Sequence, residues 1–196
     1  MTGDEALEML IDGNKRFVDG KSQHPHENVE WRKTLMDGQH PFAVVVSCSD
    51  SRVPVEILFD QGFGDLFVIR VAGNIVSRNE LGSILYAVEH TDVSLIYILG
   101  HENCGAITAA FASAEEREKE SGEVQNLLSI IDPGIKDIDH TLNLNDKVHL
   151  GVEANVGYMK KLLEQNTTIA ECLEKNKIKI AAGIYELDTG VVRLLK

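Results

Sequence analysis

Three short runs of uninterrupted apolar residues, Phe42–Val46, Leu66–Val71 and Leu95–Leu99, constrain this chain more than any other feature. Each stops at turn or loop residues, and continuous rather than alternating hydrophobicity suits strands buried on both faces of a sheet. Between the second and third runs, Leu81, Ile84, Leu85 and Val88 fall at helical spacing. That stretch is the expected crossover of a right-handed βαβ unit. The expected fold class is therefore α/β, with a mostly parallel central β-sheet flanked by helices.

The flanks add detail. Thr2 and Glu5 have capping-box spacing ahead of a stripe of Leu7, Leu10, Ile11, Asn14 and Phe17, which predicts a helix. Residues 20–39 are polar and predict a loop with a short outward-packed helix, its Trp31 serving packing. Residues 106–114 read as helix, and the mixed charges of 115–123 as a solvated helix end or loop. Residues 124–146 read as irregular, with Asp132, Pro133 and Gly134 turning the chain between short helices. Val148, Val152, Val156, Met159 and Leu163 mark a longer helix. Thr168 and Glu171 predict another helix start, with Ile169, Cys172 and Leu173 on its core side. Ile178, Ile180, Ala182 and Ile184, then Asp188, Thr189 and Gly190 before Val191–Leu195, predict an antiparallel C-terminal hairpin. With no repeat or linker, the expectation is one unit over residues 1–196, carrying an N-terminal helical arm of about residues 1–38.

The chain holds 19 basic and 31 acidic residues, a formal net charge of −12, which argues against a nucleic-acid partner or an anionic membrane surface. No apolar run reaches membrane-spanning length, and the acidic start MTGDEALEML is unlike a secretory segment, so cytoplasm is expected. Three cysteines, Cys48, Cys104 and Cys172, favour metal binding, catalysis or packing over a disulfide framework. The absence of a C-x-x-C pair weighs against redox chemistry.

Two segments carry chemistry. Ser47–Arg52 (SCSDSR) follows one apolar run and Gly100–Gly105 (GHENCG) follows another. Both fall where strands of an open α/β sheet release their carboxyl ends, the edge at which ligands bind. Two thiolates and one imidazole form a set suited to tetrahedral zinc with one position left open, and an open position points to catalysis. Asp50 and Arg52 flank Cys48 on the same loop. As a bidentate pair, Asp50 is able to orient a metal-generated hydroxide; released, it is able to fill the fourth position and shut the site. As a plain surface ion pair it is worth roughly 0–1 kcal/mol.

The string CSDSRVPVEILFDQGFGDLFVIRVAGN, then GSILYAVEH and LGHENCGA, closely resembles the β-class carbonic anhydrases. GNKRFVDG looks like their bacterial members, and IKIAAGIYELDTGVV agrees more weakly. The resemblance implies one Zn2+ per chain on Cys48, His101 and Cys104, with Asp50 and Arg52 as the catalytic dyad. It implies reversible hydration of carbon dioxide to bicarbonate by a zinc-generated hydroxide, in a homodimer or tetramer. Gln39 resembles the residue that hydrogen-bonds substrate across the dimer interface, and Phe67 and Tyr86 match positions lining the substrate pocket. For these three, ordinary packing or capping competes. Carbonyl sulfide or carbon disulfide hydrolysis on the same zinc, or a non-catalytic zinc or bicarbonate-responsive module closed by Asp50, are the alternatives. Glu102 and Asn103 depart from the small residues common at those positions, so the Glu102 carboxylate is expected either to tune anion affinity or to face solvent. Gly105 is expected to let backbone approach the metal loop, and Gly73 and Asn74 to serve backbone shape. None of the seven histidines is assigned to proton transfer.

Overall fold

The computed structural model describes residues 1–195. Its elements run α1 (Gly3–Val18), α2 (Val29–Thr34), β1 (Ala43–Ser47), α3 (Val55–Leu58), β2 (Leu66–Arg70), α4 (Arg78–His90) and β3 (Leu95–His101). They continue with α5 (Gly105–Ala110), α6 (Ala114–Arg117), α7 (Gly122–Ile135), α8 (Leu144–Glu164), α9 (Thr167–Glu174), β4 (Lys179–Tyr185) and β5 (Val192–Leu194). The sheet order is β2-β1-β3-β4-β5, parallel throughout except for the β4–β5 hairpin. The α/β class, the crossover helix α4 and the terminal hairpin all match the sequence reading.

The apolar runs lie on two faces because side chains alternate along a strand. Val44, Val46, Ile96 and Ile98 face one core with Ile84, Ile107, Leu128, Ile131, Val152 and Val156. Ala43, Val45, Leu95, Tyr97 and Leu99 face the other with Ala6, Leu10, Val55 and Leu58. β1 and β3 are buried throughout, as continuous runs require, but β2 is only half-buried. It is an edge strand, paired with β1 alone among the described residues.

Local capping sets several boundaries. Thr2 Oγ1 accepts from the Glu5 amide and the Glu5 carboxylate accepts from the Thr2 amide, closing the expected capping box of α1. That helix buries Ala6, Leu10, Gly13 and Asn14 against its own chain, while Ile11 is exposed on the flank. The helix after β3 stops at Ala110 rather than Ala114, because Ser113 and Glu116 form a capping box that starts α6. Asn166, not Thr168, caps α9: its side chain accepts from the Ile169 amide.

The largest departure is α7, a continuous helix through Pro133 where the sequence suggested a turn. An interior proline costs about 3 kcal/mol. Burial of Leu128, Ile131 and Ile135 returns roughly 5–9 kcal/mol, and Pro133 stands in the last turn, where few bonds remain to be lost. Gly134 also lets α8 close in: a Cβ there would lie 3.0 Å from Tyr158 Cβ.

Candidate metal centre

Parallel strands in register bring their carboxyl ends to one edge. Ser47 pairs with Arg70 and with Leu99, and Gly100 and His101 lie opposite Ile184 and Tyr185. Cys48 therefore leaves β1 beside His101, the last residue of β3, and Cys104 caps α5 three residues later. Cys48, His101 and Cys104 are all buried, and their ligand atoms lie within 4.8 Å of one another. The two sulfurs are 4.0 Å apart.

The ring of His101 is oriented by its own loop: Nδ1–H donates to the Glu102 carbonyl at 2.8 Å. With Nδ1 bonded to a carbonyl, Nε2 is the ring nitrogen left free to take a metal. Nε2 is buried and has no hydrogen-bond partner among the described residues. A buried nitrogen left unpaired beside two thiols is costly unless a cation takes its lone pair. The thiols act as a unit. The hydrogen bond from Cys104 pushes Cys48 well below the usual thiol range against the opposing effect of burial, and the neighbouring His101 ring and the backbone N–H groups of Asp50 and Gly73 add to it. The same bond, then burial and the charge on Cys48, push Cys104 up. One proton leaves the pair easily and the second leaves when a positive charge arrives. This donor set fits zinc.

Asp50 and Arg52 stand on the rim of this cluster. The Arg52 amide and Nε each donate to Asp50 Oδ1 at 2.9 Å, and Nη2 donates to Oδ2 at 2.8 Å. Those bonds hold the Asp50 carboxyl far below the ordinary carboxylate range, against the opposing effect of burial. Oδ2 also lies 3.9 Å from His101 Nε2, so the carboxylate that Arg52 holds faces the cluster. Arg52 Nη2 further donates to the Asn103 carbonyl at 3.4 Å, tying the two loops together.

Of the remaining expected site residues, Phe67 packs half-buried against the core and its ring lies 6.4 Å from that of Tyr86. Tyr86 is 53% exposed, and Gln39 is exposed before β1. Phe67 lies on β2, Tyr86 on α4 and Gln39 just ahead of β1. Glu102 is half-buried and does not join the cluster: its carboxylate accepts from the Leu187 amide at 3.1 Å and ties the loop to the β4–β5 connection. Asn103 has φ 51°, a left-handed conformation that asparagine tolerates better than most residues. Gly105 does not serve close approach, since a Cβ there would meet nothing within 4 Å. Gly100 does: a Cβ would lie 2.5 Å from Val156 Cγ2, so this glycine lets α8 press on β3.

Motif reading passes over Arg70. Its Nε donates to the Cys48 carbonyl at 3.1 Å and Nη2 to the Asp50 carbonyl at 2.6 Å, fixing the backbone that carries both side chains. The signal that finds it is register, because Arg70 ends β2 directly opposite Ser47.

Comparison with known proteins decides the family. A family model described as carbonic anhydrase matches residues 43–192. The chain belongs to the carbonic anhydrase family. Over 189 residues it is 39% identical to a carbonic anhydrase of Mycolicibacterium smegmatis, covering 96% of this chain and 91% of that one. It is 37% identical to carbonic anhydrase 2 of Mycobacterium tuberculosis, covering 94% and 89%. Among solved structures, the β-carbonic anhydrase CcaA superposes with a TM-score of 0.80 at 27% identity, covering 97% of this chain and 95% of that one. A tetrameric β-carbonic anhydrase from Sordaria macrospora gives 0.77 at 25% identity, covering 97% of each. The β class is thus shared in fold as well as in sequence.

Proposed function

We propose that this chain catalyses the reversible hydration of carbon dioxide to bicarbonate and a proton, at a zinc ion held by Cys48, His101 and Cys104. The observation that carries the reading is the convergence of two thiols and an unpaired imidazole nitrogen beneath a carboxylate that Arg52 holds in place. Bound there, zinc would supply a Lewis acid that lowers the pKa of water to about 7. The rest is the work of side chains. Asp50, kept ionised by Arg52, accepts a hydrogen bond at Oδ2 from the attacking oxygen and turns a lone pair toward the carbon of the substrate. Arg52 keeps Asp50 off the cluster and so keeps the site open. Arg70 stops the Cys48–Asp50 backbone from drifting.

Gln39, Phe67 and Tyr86 complete the substrate pocket in an assembled enzyme, with Gln39 hydrogen-bonding substrate across a dimer interface. The edge strand β2 and the exposed Ile57, Phe63 and Tyr86 around it form the face on which a second copy docks, giving a homodimer or a tetramer built from dimers. The tetrameric Sordaria relative supports this assembly. The 196 residues act as one catalytic unit, with residues 1–38 as its arm. Thiolate ligands require a reducing compartment, which favours the cytoplasm; no helix among the described residues is long and apolar enough to cross a membrane.

The test is metal analysis with stopped-flow hydration assays on wild type and Cys48→Ser, with carbonyl sulfide as a second substrate. The expected result is one zinc per chain and fast carbon dioxide hydration, with the variant losing both. Sulfide release without hydration would transfer the assignment to carbonyl sulfide hydrolysis, and bound zinc with neither activity would leave a non-catalytic module.

A further inference from the structure

We infer that Asn155, in the middle of α8, is a positioning residue for the metal centre, acting through Gly73 on the sulfur of Cys48. The inference rests on the proposed role of Cys48 as a metal ligand. Asn155 is fully buried, in a helix whose other inward residues are Val148, Gly151, Val152, Val156, Met159 and Leu163. Its Nδ2 donates to the Gly73 carbonyl at 2.9 Å. Among the described residues its Oδ1 has no partner, so that single bond is all its amide accomplishes. For stability alone this is a poor choice. A leucine of similar size would suit the apolar stripe and strand no polar atom.

The other end of the bond explains the amide. Gly73, at φ 70° and ψ 16°, and Asn74, at φ 44°, are two successive left-handed residues in a single 3-10 turn (Ala72–Asn74) between β2 and α4, outside any α-helix or strand ladder. The Asn74 amide donates to the Val71 carbonyl at 2.9 Å and closes the turn. Gly73 is wedged sideways: a Cβ on it would lie 2.9 Å from Ile131 Cδ1 and 3.2 Å from Ala106 Cβ. Packing thus limits translation, and the bond from Asn155 anchors the carbonyl side of Gly73, one φ/ψ pair from the N–H side. The amide of the same residue donates to Cys48 Sγ at 3.3 Å.

A backbone N–H aimed at a thiolate draws charge from the sulfur, and that donation decides how firmly and how covalently a metal is held. Gly73 and Asn155 are far apart in sequence, but the chain Asn155–Gly73–Cys48 is continuous in space. Through it α8, which contributes no ligand, takes part in setting the strength of one.

The experiment compares wild type, Asn155→Leu and Asn155→Asp as full-length protein. It reads zinc affinity by chelator competition, the thiolate-to-metal charge-transfer band of the cobalt(II) form, and the Tm of the metal-free protein. Asn155→Leu is expected to keep or raise the metal-free Tm, yet to hold zinc about tenfold more weakly and to displace the cobalt band. Asn155→Asp, neutral in this apolar site, keeps the shape and an O–H donor to the Gly73 carbonyl, and is expected to leave the band near its wild-type position. Wild-type affinity and an unmoved band in the leucine variant would overturn the inference, as would an affinity loss that merely follows a fall in metal-free Tm. Should both variants fail to fold, the wild type loaded with 113Cd decides: a scalar coupling between the metal and the Gly73 amide proton is expected, and its absence overturns the relay. A wild type that takes up no metal would instead sink the proposed function, and this inference with it.

Discussion

Two arginine–carboxylate pairs in this molecule use the same chemistry for different ends. In the arm, Arg16 Nε donates to Asp60 Oδ2 at 2.5 Å, and the amides of Gln23 and His24 donate to the same carboxylate at 3.0 Å. The Asp60 side chain is 0% exposed, and its acceptor capacity is spent on holding α1 and the loop after it to α3. At the rim of the metal centre, the side chain of Asp50 is bound by Arg52 alone, is 18% exposed and turns one oxygen toward His101 Nε2. The two pairs differ in which lone pairs their surroundings leave free: Asp60 spends its acceptors within the fold, and Asp50 keeps acceptor capacity beside the cluster.

The comparison breaks most readily at Asp50. The substitution Asp50→Asn keeps the shape and loses the charge; hydration kcat/KM is expected to fall by at least ~100-fold, about 2.7 kcal/mol, by stopped-flow assay. The melting temperature of that variant should stay near that of wild type, because the pair is a rim feature. Asp60→Asn is the mirror case. Weakening a fully buried, charge-assisted set of bonds is expected to cost about 1–3 kcal/mol and to lower the Tm by roughly 4–8 °C in calorimetry, with kcat/KM of the folded protein little changed.

Acid sharpens the same contrast. Burial opposes ionisation of Asp60, but the bonds from Arg16 and from the amides of Gln23 and His24 win, and its folded pKa lies below the ordinary value. A depressed carboxylate stabilises above the unfolded pKa of about 3.9 and loses that contribution as pH falls through the folded value. The stability gap between wild type and Asp60→Asn should therefore be full at pH 6 to 7 and shrink below about pH 4, as read by urea unfolding across pH. The smallest effect belongs to a third pair, Arg117 and Asp132, which joins α6 to α7 at the surface. Asp132→Ala is expected to cost no more than about 1 kcal/mol and to leave hydration untouched.

Much of this was legible in the residue pattern, for physical reasons that also mark the limits. Apolar runs at 42–46 and 95–99 report burial on both faces, and they became the two central strands β1 and β3. The run at 66–71 looks the same, yet β2 is an edge strand, because hydrophobicity does not distinguish a strand covered by its own chain from one exposed at a sheet edge. Pro133 was misleading because a local preference of about 3 kcal/mol yields to three buried aliphatic side chains. In the metal loop, residue types and strand-end positions pointed to Cys48, His101 and Cys104, and the structure brings them together. The direction of Glu102 and the roles of Arg70 and Asn155 were not legible, since each acts by a hydrogen bond to backbone far away in sequence.

The most direct test of the distinction between the two pairs is stopped-flow carbon dioxide hydration by zinc-loaded wild type, Asp50→Asn and Asp60→Asn, each assayed well below its own Tm. A large loss in Asp50→Asn with near-wild-type turnover in Asp60→Asn is the expected result. Comparable losses in both, or full activity in Asp50→Asn, would contradict the account and return Asp50 to the status of a surface ion pair.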